Sequence, residues 1–153
     1  MQNHSNKGSV ENPALTSLGV LVGGWTTVGK HPYLGDMVLH GTTSFKWLEG
    51  GAFLLMHSEN AEEKIPASVA IFGTDNSTDE IFMLYFDERK VSRKYDVSFE
   101  GSVLKSWRID PDFSQSFTWK LSDDGNSIIG QGQMCRDGKT WKKDLELTYT
   151  RIS

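Results

Sequence analysis

Arg93 and Gln115 are polar residues set in otherwise apolar rows. Val91, Arg93, Tyr95, Val97 and Phe99 alternate with Ser92, Lys94, Asp96 and Ser98. Phe113, Gln115, Phe117, Trp119 and Leu121 alternate in the same way with Ser114, Ser116, Thr118 and Lys120. Alternation of period two places each row on one face of a strand. If the apolar rows face a core, Arg93 carries a guanidinium into it. Such a group is costly unless it is paired. The partner is either a protein carboxylate, with Glu59 one candidate, or an anionic group on a ligand, which the planar fork suits. His57 and Glu59 stand two apart, on the row of Phe53 and Leu55. Facing in, they would hydrogen-bond a ligand or act as an acid–base pair; facing out, they are ordinary surface residues. Their strand is apolar on both sides, so both orientations stay open. Tyr85, Tyr95 and Tyr149 offer hydroxyls above apolar bodies, and Trp107 and Trp119 offer pocket walls. The candidate ligand-binding set is therefore Arg93, Tyr95, Gln115, Tyr85, His57, Trp107 and Tyr149. Small-molecule pockets have this mostly apolar composition with a few placed polar groups. Plain core filling uses the same residues.

Catalytic and metal signatures are missing. There is no Gly-x-Ser-x-Gly elbow, no phosphate-cradling glycine loop before a helix and no His-Glu-x-x-His. Asp75, Asp79, Asp123 and Asp124 lack the spacing of a calcium loop and read as turn formers. Cys135 is the single cysteine, which rules out an intrachain disulfide and a cysteine-based zinc site. It is expected to be an inert strand residue. His40 falls in the outward row of Val38, Thr42, Ser44 and Lys46. With 16 basic and 20 acidic residues the net charge is −4, and no long basic block appears. Neither nucleic acid nor a membrane is expected as a partner. No apolar run approaches the roughly 20 residues of a spanning helix. The first twenty residues lack a secretory pattern, so a cytoplasmic setting is expected.

The elements that must position these side chains are strands. Residues 1–11 are polar and are expected to form a flexible tail. Residues 12–153 form one domain. Asn12 is a plausible N-cap, Pro13 suits a first helical turn, and Leu15, Leu18 and Leu21 or Val22 share a face, with Gly19 a stop. One or two helical turns should lie apolar face inward across a barrel end. The stretch 21–29 then reads as the first strand, with Trp25 plugging the floor. Ten strand candidates follow one another, at 22–30, 37–48, 52–60, 67–74, 80–87, 91–99, 102–109, 113–121, 126–136 and 140–151. In 140–151, Trp141, Lys143, Leu145, Leu147 and Tyr149 form the expected inner row, opposite Lys142, Asp144, Glu146 and Thr148. In 37–48, Met37, Leu39, Phe45 and Trp47 share a row. The connections are short and turn-like, so neighbours are antiparallel. An open meander of this length would expose two edges, and closure removes them. The expected fold is all-β: a closed antiparallel up-and-down β-barrel of about ten strands, with a short N-terminal helix capping one end. A two-sheet sandwich is the alternative. Strands 52–60, 67–74 and 80–87 are apolar on both faces, and a homodimer is the simplest cover for their outer side.

The opening Pro13…Leu15…Leu18…Leu21-Val22-Gly23-Gly24-Trp25…Gly29…His31-Pro32-Tyr33 resembles the start of nitrobindin-like and related lipocalin-like domains of the calycin superfamily. The segments 47–54 and 144–151 are similar to the same lineage, in particular to uncharacterised bacterial lipocalin-like members. The resemblance spans most of residues 13–153. It implies a barrel of about ten strands behind a short helix and a Gly-x-Trp strand. Nitrobindins bind haem through an axial histidine late in the chain. Here the histidines are His4, His31, His40 and His57, and strands 113–151 hold none. Haem ligation is thus not carried over, and haem would need another ligand such as His57. No cofactor is assigned. The function expected is that of a lipocalin-like, non-enzymatic protein that binds a small, largely apolar ligand, with any anionic end facing Arg93. The alternatives are a barrel-pocket enzyme of isomerase type using His57, Glu59, Tyr85 or Arg93, a nitrobindin-like haem protein, and a partner-binding module.

Overall fold

The structure is a computed structural model and describes residues 10–153. The expected flexible tail falls mostly on residues 1–9, outside the described residues; Val10 and Glu11 are exposed. Ten strands follow in order: β1 (Gly23–Lys30), β2 (Leu39–Leu48), β3 (Phe53–Asn60), β4 (Ser68–Thr74), β5 (Ile81–Asp87), β6 (Val91–Glu100), β7 (Val103–Arg108), β8 (Ser114–Leu121), β9 (Ser127–Cys135) and β10 (Trp141–Arg151). Each pairs antiparallel with its neighbours in sequence, and β1 pairs with β10 to close the barrel. Closure leaves no edge strand with unpaired backbone groups. No helix among the described residues is long and apolar enough to cross a membrane.

The N-terminal helix spans Pro13–Leu21 and is of 3₁₀ type. Leu15, Leu18 and Leu21 recur every three residues, which matches three residues per turn and keeps all three on one buried face. The Asn12 side chain caps it by accepting the Ala14 N–H. Gly19 does not stop it: the helix runs through to Leu21, and the Gly19 carbonyl accepts the Val22 N–H beyond. The leucine face closes one barrel end over fully buried Trp25. The indole Nε1–H donates to the Leu21 carbonyl at 3.0 Å. The Arg151 guanidinium covers the other side, 4.2 Å from the ring centroid. Its N–H groups donate to the carbonyls of Val20, Val22 and Gly125. One side chain thus ties the helix end, β1, the β8–β9 turn and β10 together, so the chain's last strand fixes its first.

Below this lid Phe45, Leu54, Phe72, Val97, Leu104, Trp119, Ile128 and Tyr149 form a continuous core. The inner rows of β6 and β8 are those expected from alternation. On β2 the inner row starts at Leu39, not Met37, which lies before the strand and is exposed. The row on β10 also needs correction. Pairing with β9 shifts by one between Lys143 and Glu146, a β-bulge. An inserted residue reverses which side chains face in on either side of it. Leu145, Leu147 and Tyr149 point inward as expected, but Trp141 and Lys143 are exposed and Asp144 turns into the barrel. Gly29 of β1 pairs with Leu147 beside this bulge, and a Cβ there would run into the Glu146 carbonyl oxygen.

Candidate functional site

The closed-end core fills only part of the interior. A cavity of about 620 Å³ occupies the rest and opens at the other end. That volume lies in the range of small-molecule sites. Its inner wall is apolar, with Met56, Ala70, Met83, Phe117, Trp119 and Tyr149. Phe117 and Trp119 pack with centroids 4.5 Å apart and ring planes tilted by 52°. The Trp119 Nε1–H donates to the Tyr149 hydroxyl at 3.1 Å. Burial pushes the Tyr149 phenol well above its ordinary pKa, so it remains a neutral hydroxyl. Hydroxyls also line the wall: Thr43 and Ser58 lie 3.0 Å apart.

The open end is polar and bonded into two groups. In the first, Gln115 is the hub. Its Oε1 accepts from Arg93 Nη1 at 3.1 Å and from the Tyr95 hydroxyl at 2.7 Å. Its Nε2 donates to Asp144 Oδ2 at 3.0 Å. Asp144 Oδ1 lies 2.7 Å from His31 Nε2, and His31 Nδ1 accepts the Tyr33 N–H. Because Nδ1 is an acceptor, the ring proton sits on Nε2 and faces the carboxylate. Both ring nitrogens of His31 are therefore occupied. Burial raises the Tyr95 phenol pKa, against the lowering pull of Arg93. In the second group, the Tyr85 hydroxyl donates to Asp87 at 2.7 Å, and Arg89 grips the same carboxylate through Nε and Nη2. Burial alone would raise Asp87, but the bonds from Arg89 and Tyr85 outweigh it and hold the carboxyl at about 2. Tyr85 is raised, by burial first and by Asp87 next.

Five of the seven residues singled out from sequence line this cavity: Arg93, Tyr95, Gln115, Tyr85 and Tyr149. His57 and Trp107 lie on the barrel's outer surface. On β3 the partners of buried Phe45 and Thr43 are Met56 and Ser58, so even positions face in and His57 and Glu59 face out. Their side chains are 42% and 67% exposed, with the closest N and O atoms 4.0 Å apart. Glu59 is thus no partner for Arg93. On β7, Leu104 and Ser106 are buried and point in, which turns Trp107 outward under the Lys105 ammonium. The acid–base set of His57, Glu59, Tyr85 and Arg93 does not converge.

Sequence reasoning missed His31, Lys64, Arg136 and Asp144, all of which line the cavity. Arg136 was legible: it continues the inward row Ile128, Gly130, Gly132, Met134 of β9. Asp144 was hidden by the bulge. His31 lies outside any strand, as the cap of a short 3₁₀ turn at Pro32–Leu34.

Among the described residues the cavity offers no histidine for a haem iron. His57 is outside, His40 is exposed, and His31 has no ring nitrogen left for iron. Among the described residues no group of three or more His, Cys, Asp or Glu side chains is arranged to hold a metal ion.

No family model matches the chain. No curated protein matches it in sequence. A solved structure does: the crystal structure of Rv2717c from M. tuberculosis is similar with a TM-score of 0.64 and 15% identity, over 94% of this chain and 99% of that one. At that identity the likeness speaks for the fold, and the chain shares a closed antiparallel β-barrel with that protein along nearly its whole length.

Proposed function

We propose that this protein is a lipocalin-like member of the calycin barrels that binds a small, largely apolar molecule inside the barrel, with the ligand's polar end towards Arg93. The observation that carries this reading is the cavity of about 620 Å³, with aromatic and aliphatic side chains and a few hydroxyls along its inner wall and charged groups at its mouth. Burying an apolar body there would gain about 25 cal/mol for each Å² removed from water. Tyr95, Gln115, Asp144 and His31 at the mouth already hold one another, so they need little reorganisation to receive a ligand.

A plug tests the proposal. Ala70 is buried, its side chain faces the cavity, and it pairs with Met56 and Tyr85. The neutral fluorophore N-phenyl-1-naphthylamine should bind the protein saturably at one per chain. Ala70→Phe should abolish that uptake while melting as cooperatively as the parent. Uptake that survives the plug would place the probe elsewhere and defeat the reading.

The homodimer belongs to the same proposal. Leu55, Ile71 and Leu84 form one outward cross-strand row on β3–β5, and His57, Val69 and Phe86 form another. Leu84 and Phe86 are exposed there. A second copy is the suggested cover, and a purely monomeric native mass at micromolar concentration would remove it.

A further inference from the structure

Phe113, at the cavity mouth, carries two guanidinium groups. The Arg93 carbon lies 5.3 Å from its ring centroid and the Arg136 carbon 4.4 Å. The two guanidinium carbons therefore lie within about 10 Å of each other, and both side chains line the cavity. Neither makes a salt bridge among the described residues. Arg93 gives one N–H to Gln115 and lies beside the Tyr95 hydroxyl, both uncharged partners. Among the described residues the one carboxylate lining the cavity, Asp144, is engaged by Gln115 and His31. Asp137, next to Arg136, accepts the Lys139 and Thr140 N–H groups instead. Arg136 also faces a smaller side recess with Lys142, and Lys64 stands on the main rim. Like charges held together repel, and an anion between them relieves this.

We propose that Arg93 and Arg136, stacked about Phe113, form the head-group site for an amphipathic anion: a carboxylate or sulfonate on an apolar body. This rests on the binding function proposed above and names its ligand class. The apolar body extends inward past Gln115 to Phe117 and Trp119 on the same inner row of β8. Gln115 is a positioning residue. Its Oε1 accepts from Arg93 while its Nε2 is fixed by donating to Asp144.

A matched probe pair tests this in the full chain. 1-Anilinonaphthalene-8-sulfonate and N-phenyl-1-naphthylamine share one aromatic body and differ by the sulfonate. The wild-type protein should bind the sulfonate about tenfold tighter or better, as a charge-assisted contact implies. Arg93→Gln and Arg136→Gln should each weaken the sulfonate about tenfold and leave the neutral probe's affinity roughly unchanged. Retained neutral-probe binding reports a folded barrel with its cavity intact. Added salt should weaken the sulfonate alone, and Ala70→Phe should block both probes. If the neutral probe binds but the sulfonate gains nothing, or if Arg136→Gln changes nothing, the head-group site is overturned and the binding function stands. If neither probe binds, both fall.

Discussion

At the scale of single residues, Arg151 and Trp25 bear the most structure per side chain. A lysine at 151 keeps the charge but cannot supply three donors in a planar fork to Val20, Val22 and Gly125. Arg151→Lys is expected to cost about 1.5–3 kcal/mol, the range for lost hydrogen bonds to a charged group, read by urea unfolding. An unchanged midpoint would mean that the lysine reaches the same carbonyls. Asp137 gives a pH signature. The N–H groups of Thr140 and then Lys139 hold its carboxyl at about 2, below the ordinary 3.8. A carboxylate depressed in the folded state contributes stability above its unfolded pKa and loses it as pH falls through the folded one. Stability should therefore decline between about pH 4 and pH 2 through this group. Asp137→Asn should flatten that part of the curve, and a variant that tracks the parent throughout would reject the assignment. Residue placement was legible where alternation ran unbroken. Arg93, Tyr95 and Gln115 were found because a polar residue in an apolar row needs a reason. His57 was misplaced because β3 is apolar on both faces, and only pairing with Phe45 and Thr43 decides its direction.

At the scale of elements, local pattern and chain connection did most of the work. Short turns forced antiparallel neighbours, and the ten strands lie within two residues of the expected bounds at either end. The helix was legible in position but not in type, because a strict repeat of three leucines fits 3₁₀ geometry as well as a short amphipathic α-turn. The β10 bulge was not legible. One extra residue leaves no mark on the apolar count, yet it sends Asp144 to His31 and Gln115. Gly29 makes room for it, since a Cβ would meet the Glu146 carbonyl. Gly29→Ala should push β10 away and cost about 1–3 kcal/mol, as overpacking does. It should also move the His31 ring resonances in an ¹⁵N spectrum. A shift in stability with the His31 signals unmoved would separate the bulge from the Asp144 contact.

At the scale of the whole molecule, the two barrel ends differ in kind. One is sealed by leucines, Trp25 and Arg151; the other opens between Arg93, Arg136, Asp144 and the His31 turn. This polarity follows from which end of each strand carries large apolar residues, and it turns the interior into a pocket with one entrance. Closure and an aromatic interior could be read from sequence. Whether side chains filled the barrel could not, because the small inward residues Ala70 and Ser106 leave space only once their neighbours are known. The central claim is that a ligand enters that space, and methionine methyl groups report on it directly. Met56, Met83 and Met134 line the cavity, whereas Met37 is exposed outside it. In a protein labelled at the methionine methyls and titrated with N-phenyl-1-naphthylamine, the signals of Met56 and Met83 should move together and saturate, with Met37 fixed. Movement of Met37 alone, or saturation of the probe with Met56 and Met83 unmoved, would contradict the account.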